Sequence, residues 1–405
     1  MMSASNAPSI SLNSRISLHP LSEQVENDVV IVGRGDQFLE LPLAGLDFVG
    51  WLKEGLSLGQ ARERFEARYN PFPDEELLEV INAFYESDFV AAVDDHPIVS
   101  RRPPHNTSSA SIPQKWAQAL FSKPVLMAWI TIAVPAAIIW IVTPQLWPVR
   151  SDFFWSDHYF IVVLVGLLLW LSNMGLHEGA HWLACRAKGI RATITWTQRL
   201  GFLPMSQTIM HDIWAVPRPA RYLPISAGMV WDIFGISLVL YLLFFDVTGF
   251  WTLPLLVTKL LKFYLLTSAM ALTAQFWLFS KMDGYFLLSA LLGQRNLQGD
   301  TYDWLKAKAG RNKTFDPPAS GMKFIYVYAL ITLLWGGLFV GQFLLINLPI
   351  KLQLLWESWL KVLAGPELSA LDFADGLAVF VSQMIFWGLL LYAYWRDTIP
   401  NWRQT

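Results

Sequence analysis

Residues 174–183 read Met-Gly-Leu-His-Glu-Gly-Ala-His-Trp-Leu, and they place the pattern His-Glu-x-x-His at the end of an apolar run that carries no charge from residue 159 onward. Residues four apart share one face of a helix, so His177 and His181 can offer two imidazole nitrogens to one Zn²⁺ ion. Glu178 is the candidate general base for hydrolysis of a peptide bond. It would take a proton from the water that attacks the peptide carbonyl and later give this proton to the leaving amine. Chance is a weaker explanation here, because ionisable side chains at membrane depth are costly unless they are paired or bind a metal.

The composition is that of a membrane protein. Of the 405 residues, 54% are hydrophobic, and the mean hydropathy is +0.37, so we expect a mainly α fold, a polytopic membrane helix bundle. The net charge of −2 gives no support for a nucleic-acid partner. The single cysteine, Cys185, excludes an internal disulfide framework and a zinc site built from several cysteines.

Six apolar runs have about the length that a bilayer requires. They are expected near residues 124–142, 159–184, 225–245, 263–279, 324–345 and 377–395. The connections after the second and fourth runs are rich in Lys and Arg, whereas the other connections have fewer cations and more acids. The positive-inside rule then predicts a bacterial-type cytoplasmic membrane protein with both termini in the cytoplasm and residues 346–376 outside.

The pattern along the chain predicts five parts. These are a flexible N-terminus (1–27), a small cytosolic α+β domain (28–95), a Pro- and Ser-rich linker (96–123), the intramembrane metallopeptidase domain (124–397) and a C-terminal tail (398–405). In the small domain, β-rich runs form a hairpin, three amphipathic helices follow, and residues 89–93 return as a strand. This order favours a winged-helix-like module.

Residues 39–41 (Leu-Glu-Leu) before a helix, residues 51–55 (Trp-Leu-Lys-Glu-Gly), the helix over 58–69 and the closing Phe89-Val90 give this domain a resemblance to a known family. It resembles the PqqD-like domain that binds leader peptides of ribosomally made, modified peptides. The resemblance implies that an extended leader adds as a strand at the sheet edge, where Leu39 and Leu41 are the candidate substrate-binding residues. A generic cytosolic regulatory domain is the alternative.

His-Glu-x-x-His supplies two ligands, and a catalytic zinc usually has three protein ligands plus water. Residues 282–288 read Met-Asp-Gly-Tyr-Phe-Leu-Leu and follow the fourth run, which puts Asp283 on the same predicted side of the membrane as the two histidines. Asp-Gly alone is most often a cap or turn. Paired with the first motif it makes Asp283 the candidate third ligand, and His211 and Asp212 are the alternatives.

Together the two motifs resemble the site-2 protease family of intramembrane zinc metallopeptidases, and Met-Asp-Gly-Tyr looks closest to its peptide zinc metalloprotease branch. The resemblance implies that His177, His181 and Asp283 hold zinc, that Glu178 is the base, and that cleavage occurs near the cytoplasmic face. The chain departs from the family at Gln275, where the family usually has Asn, and at residue 278, where it has Pro. Gln275 keeps an amide, so it is a candidate for holding the substrate.

Two further features lie between the motifs. Residues 193–197 alternate as a strand does and turn toward 207–210, which predicts a hairpin. In the resembling family a hairpin here approaches extended substrate, and a purely structural hairpin is the alternative. Asp232 is a candidate acceptor for a ligand imidazole, with an ion pair to a loop arginine as the other interpretation.

The expected function is therefore an intramembrane zinc endopeptidase acting on a leader-bearing precursor peptide. Its expected partners are that peptide, membrane lipid and, as a candidate, a peptide exporter. Regulated cleavage of a membrane-anchored signalling protein is an alternative with the same chemistry. A non-catalytic peptide-binding or export partner is the alternative from a different class.

Overall fold

The structure, a computed structural model, describes residues 10–26, 29–34, 37–98, 112–199, 203–211, 213–294, 296–310, 322–365 and 369–402. It divides into two compact units. The N-terminal unit comprises Met1–Trp116, Cys185–Thr193 and Ile209–Arg221, and the helical unit comprises Ala117–Ala184, Ile194–Thr208 and Tyr222–Thr405.

The N-terminal unit combines short strands with three helices. Its strands are β1 (Ile16–Leu18), β2 (Ser22–Glu26), β3 (Val29–Arg34), β4 (Gln37–Pro42), β5 (Val90–Val93) and β6 (His96–Pro97), and its helices are α1 (Leu43–Lys53), α2 (Leu58–Arg68) and α3 (Asp74–Glu86). The strands form two antiparallel sheets, ordered β1-β5-β6 and β2-β3-β4. The expected hairpin is therefore present as β3 and β4, and the closing strand β5 pairs with β1.

The core of this unit follows from its amphipathic pattern. On α3 the buried residues Leu77, Ile81 and Phe84 recur at the spacing of one helical face. Helix α2 begins at a capping box in which the Ser57 hydroxyl accepts from the Gln60 backbone. Fourteen buried apolar residues form one cluster, to which both sheets and all three helices contribute. The apolar faces of the three helices therefore pack against the strands.

Residues 10–26, the described part of the expected flexible terminus, differ from that prediction. They contain β1 and β2, and Ile16 of β1 is buried in the core. Strand β1 is three residues long and pairs with β5, which lies more than 70 residues further along the chain. Such a non-local pairing leaves no signal in the local pattern, which explains the difference.

A buried arginine holds the segment 209–221 within this unit. Arg221 is fully buried, and its guanidinium binds the carboxylate of Glu26 on β2 and donates to the carbonyls of Trp214 and Val216 at 2.9 and 2.8 Å. It also lies 4.9 Å from the centre of the Trp214 ring. The charge is thus paired and hydrogen-bonded, as a buried guanidinium requires.

The rest of the chain is helical apart from one hairpin. The elements are α4 (Gln114–Leu120), α5 (Lys123–Val142), α6 (Tyr159–Ala187), β7 (Ala192–Arg199), β8 (Leu203–Met210), α7 (Arg218–Val247), α8 (Leu255–Ala274), α9 (Asp283–Leu292), α10 (Leu297–Lys308), α11 (Met322–Gln342), α12 (Leu348–Ala364) and α13 (Ala370–Trp402). The expected hairpin is present as β7 paired with β8. A π-helical turn over Phe343–Asn347 joins α11 to α12.

Six helical stretches in the described part of the chain are long and apolar enough to cross a membrane. They are Gln114–Val142, Tyr159–Ala187, Arg218–Val247, Leu255–Ala274, Met322–Ala364 and Ala370–Leu389. The prediction of a mainly α fold with six such helices is confirmed. The fifth stretch covers 43 residues because α12 continues it, where the sequence predicts an outer connection.

The parts flanking the helices also differ from the predicted boundaries. The expected linker (96–123) contains β6 at one end and α4 near the other, and its residues 99–111 lie outside the described residues. The expected tail from residue 398 is helical as far as Trp402, as part of α13.

Candidate metal centre

Three ligand atoms converge between helices α6 and α9, and their residues, His177, His181 and Asp283, are called the metal cluster below. The two Nε2 atoms lie 3.2 Å apart, and Asp283 Oδ2 lies 2.9 Å from each. Among the described residues, this is the group of His, Cys, Asp and Glu side chains whose atoms converge closely enough to hold an ion. Both histidines are buried, and they lie one turn apart on one face of α6.

The Nδ1 atoms of His177 and His181 are also hydrogen-bonded, and these bonds fix the orientation of both rings. His181 Nδ1 lies 2.7 Å from the carbonyl oxygen of Pro224, and a carbonyl can only accept, so Nδ1 is the donor. His177 Nδ1 lies 2.8 Å from Asp232 Oδ2, again an acceptor. A neutral ring that donates from Nδ1 presents a lone pair at Nε2. Both lone pairs therefore face the carboxylate of Asp283, an arrangement of acceptors that a cation would stabilise.

The donor set and the space around it fit zinc. Two ligands at about 2.0–2.1 Å from a tetrahedral ion lie roughly 3.3 Å apart, and the three observed separations fall within about 0.4 Å of that value. Helix α7 leaves room on one side through Gly228. A β-carbon at that position would lie 2.4 Å from both Nε2 atoms, so a larger residue would occupy the space of the ion.

Asp283 reaches the cluster from the first residue of α9. The sequence places it just after the fourth membrane run, expected to continue to residue 279, but α8 ends at Ala274 and a reversal follows before α9 begins. In this reversal Lys281 adopts a left-handed conformation, and the Gly284 N–H donates to the Gln275 carbonyl at 2.9 Å. A β-carbon on Gly284 would lie 2.7 Å from that carbonyl oxygen. The glycine of Asp-Gly thus permits the close approach that positions the aspartate.

Gln275 therefore has a visible structural role through its backbone. Its carbonyl oxygen anchors Gly284, and its side chain is partly exposed beside the reversal. No described residue forms a hydrogen bond with the side-chain amide. A substrate contact of this amide stays a prediction.

Glu178 lies beside the metal cluster on α6 and is buried, with 8% of its surface exposed. Thr208 on β8 donates its hydroxyl to Glu178 Oε2 at 2.6 Å. Sequence reasoning did not find Thr208, because a threonine in a strand 30 residues away is an ordinary β residue. Thr208 and Ser206 are two residues apart and share one face of β8, but this period does not show which element that face contacts.

Three of the remaining predicted residues, Leu39, Leu41 and His211, belong to the N-terminal unit. Leu39 and Leu41 are on β4 opposite Val32 and Val30, and both pack against the core of the N-terminal unit. His211, the alternative ligand, belongs to that unit, where its Nε2 lies 3.0 Å from Thr193 Oγ1. Asp212 lies outside the described residues. Of the two interpretations of Asp232, the structure has the bond to His177.

Comparison with protein-family models, with curated proteins and with solved structures found no match to the chain. The residues and geometry of the metal cluster are therefore the basis for assigning a function.

Proposed function

We propose that the chain is an intramembrane zinc endopeptidase that hydrolyses a leader-bearing, ribosomally made precursor peptide at the cytoplasmic side of a membrane. The observation that carries the hydrolytic part is the metal cluster itself. Two imidazole nitrogens and a carboxylate oxygen converge, and hydrogen bonds at the two Nδ1 atoms orient both rings. Glu178 follows the first of these histidines on the same helix. Three protein ligands with room for a fourth are typical of catalytic zinc.

In the proposed reaction each side chain has one task. His177, His181 and Asp283 would hold Zn²⁺, which when bound acidifies a coordinated water and polarises the substrate carbonyl. Glu178 accepts the proton of the attacking water as the new C–O bond forms at the carbonyl carbon. It then delivers this proton to the amine nitrogen, and the peptide C–N bond breaks as the amine leaves. Asp232 and the Pro224 carbonyl keep the two rings in the tautomer that binds metal.

The test of this proposal is Glu178→Gln in the full chain. The amide cannot accept the proton, so we expect zinc content to stay at the wild-type level while turnover falls by about 10²- to 10⁴-fold. Glu357→Gln is the matched control, because Glu357 lies on another apolar helix and accepts from Tyr159 Oη and from the Gln353 amide, and an amide oxygen can keep one of these two hydrogen bonds. Cleavage by Glu178→Gln at the wild-type rate would favour a binding protein.

The N-terminal unit is proposed to be a winged-helix-like module that captures the leader of the precursor. The observation in favour is that β4 is the last strand of its sheet and no described strand pairs with its outer edge. Such an edge accepts an extended peptide through backbone hydrogen bonds. Capture of the leader by the chain that also carries the metal cluster would raise the effective concentration of the rest of the peptide for cleavage, which makes weak binding useful.

Leader capture is tested by kcat/KM for the full precursor and for its leaderless core. Deleting residues 10–98 is a poor test, because Arg221, which belongs to the same unit, would lose its partner Glu26. Proline at Glu40 or at Leu41 is cleaner, because successive residues of a strand point their N–H groups to opposite edges. We expect one of the two to leave the fold intact and to lower kcat/KM for the precursor alone. Equal effects on both substrates would favour a generic regulatory unit.

Membrane insertion and orientation complete the proposal. The six apolar stretches support insertion, and the Lys- and Arg-rich connections favour a cytoplasmic location for both termini. After replacement of Cys185, single cysteines at Ser108 and Ser369 should label from the inside and from the outside, respectively. Labelling of Ser108→Cys from outside would invert the orientation and place the metal cluster on the side opposite to a cytosolic substrate.

A further inference from the structure

The hairpin strand β8 contacts the metal-bearing helix α6 at two points. The Ser206 backbone N–H points to Met174 Sδ at 3.2 Å, and the Thr208 hydroxyl donates to Glu178 Oε2 at 2.6 Å. Two residues along a strand cover about 6.6 Å, and four along a helix cover about 6.0 Å. Both contacts therefore fit one alignment of the strand along the helix, with Glu178 at one end of it.

The contact at Glu178 is buried and directional. Thr208 is 7% exposed and Glu178 is 8% exposed, so little water competes for either group. The hydroxyl has one proton and two acceptors within reach, the carboxylate at 2.6 Å and the Glu178 carbonyl at 3.1 Å. The charged and nearer acceptor takes the proton.

The second carboxylate oxygen is in a different situation. Within the described part of the chain, no group donates a hydrogen bond to Glu178 Oε1. One oxygen of the candidate base is thus fixed by the hairpin, and the other is left to accept a proton from water.

We propose that Thr208 is a positioning residue for Glu178, so that the hairpin of β7 and β8 sets the orientation of the catalytic base. This inference rests on the proposed function, in which Glu178 is that base. Side chains alternate along a strand, so a shift of β8 by one residue would replace Thr208 with Gln207 or Ile209 at this contact. The register of the hairpin and the competence of the base are therefore coupled.

The test compares two substitutions of Thr208 in the full chain, purified in detergent with zinc. Thr208→Val keeps the shape and removes the hydroxyl, whereas Thr208→Ser keeps the hydroxyl. Thr267→Val is the matched control, because the Thr267 hydroxyl donates to carbonyls of its own helix, Phe263 and Tyr264. Dye-quenched β-casein serves as an unfolded probe substrate, and zinc per chain is measured in each variant.

We expect Thr208→Val to keep its zinc and to keep KM within about twofold while kcat falls by about 10- to 100-fold, as for other groups that orient a reacting side chain. Thr208→Ser should recover most of the lost kcat, and Thr267→Val should match the wild type. A purely structural role of Thr208 would instead change zinc content or KM, and serine would not restore the rate.

A second readout does not need turnover. Acetohydroxamate binding to the cobalt-substituted protein, followed by visible absorption, reports on the base, because a hydroxamate on the metal hydrogen-bonds to a correctly placed carboxylate. We expect weaker binding in Thr208→Val, of the order of tenfold, and recovery in Thr208→Ser. If Thr208→Val does not fold, Thr208→Ala carries the same expectations.

Two kinds of result distinguish failure of the Thr208 inference from failure of the proposed function. Wild-type kcat and hydroxamate affinity in Thr208→Val, or equal losses in the valine and serine variants, would overturn the role of Thr208 while Glu178-dependent cleavage leaves the proposed function standing. A wild type that binds no metal, or Glu178→Gln at the wild-type rate, would overturn the proposed function, and the inference about Thr208 would fall with it.

Discussion

Two groups of polar side chains lie among the apolar helices of the helical unit, and they are built in opposite ways. In the metal cluster, two Nε2 lone pairs and a carboxylate oxygen face one another. Near the start of α6, in what we call the Lys361 cluster (Tyr159, Glu357, Lys361 and Asp375), each acid faces a donor. Lys361 Nζ donates to Asp375 Oδ2 at 2.7 Å, and Tyr159 Oη donates to Glu357 Oε2 at 2.5 Å.

The two groups differ in the balance of hydrogen-bond donors and acceptors. Asp375 is fully buried and satisfied, since it also accepts from the Phe160 N–H at 2.6 Å. Its cluster needs nothing from outside the chain. In the metal cluster, the two Nδ1–H groups have hydrogen-bond acceptors outside the cluster. The two Nε2 lone pairs and the Asp283 carboxylate oxygen face one another, an arrangement that favours a cation. Burial alone does not separate the two groups, whereas the balance of donors and acceptors does.

The largest effect is expected from removing a ligand of the metal cluster. His177→Ala, His181→Ala and Asp283→Ala each leave two ligands of three, so we expect purified protein with almost no zinc and no turnover. Zinc per chain is measured by elemental analysis. His211→Ala is the control and should keep its metal. Full occupancy in Asp283→Ala would assign the third ligand elsewhere.

Substitutions in the Lys361 cluster should lower the free energy of unfolding and leave the zinc content unchanged. Asp375→Ala leaves the Lys361 ammonium without its buried partner, which costs about 3–5 kcal/mol when such a pair is broken. Unfolding in detergent should show this loss, and the folded fraction should keep its zinc. The double substitution Lys361→Met and Asp375→Leu removes both charges, so it should recover much of the stability. Loss of zinc from folded Asp375→Ala would mean that the two clusters are not independent.

A smaller effect is expected from a substitution of Asp232, which hydrogen-bonds to the ligand His177 outside the metal cluster. Asp232→Asn keeps the shape but removes the charge that His177 Nδ1–H faces, so zinc affinity should fall by about 10- to 100-fold with the fold unchanged. Competition with a zinc chelator measures this affinity. An unchanged affinity would show that Asp232 only packs beside the ring.

Much of the metal cluster could be predicted from the sequence because its signals are local. His177 and His181 are set by the helical period, and Asp283 stands beside the glycine that its turn requires. The Lys361 cluster could not be predicted, because Asp375 meets Phe160 across 215 residues and depends on the packing of α12 against α13. The same limit applies to Thr208, which is 30 residues from Glu178.

The ends of several helices differ from the ends that hydropathy predicts. Helix α8 begins at Leu255, eight residues before the expected run, because Lys259 and Lys262 lower the local hydropathy although α8 includes them. At its other end, residues 276–279 are apolar and yet lie outside the helix. Helix α12 contains Trp, Lys and Glu among its apolar residues, a composition that suggests an outer loop. Hydropathy finds the apolar core of each helix and leaves its ends undetermined.

The most direct test of the account is zinc-edge X-ray absorption on the purified full chain. We predict close to one zinc per chain, with two imidazole nitrogens at about 2.0–2.1 Å, additional oxygen at about 2.0–2.2 Å and no sulfur in the shell. Glu178→Gln should give the same spectrum, and His181→Ala should lose it. A protein without zinc, or a shell of oxygen alone, would contradict the assignment of His177, His181 and Asp283 as a metal centre.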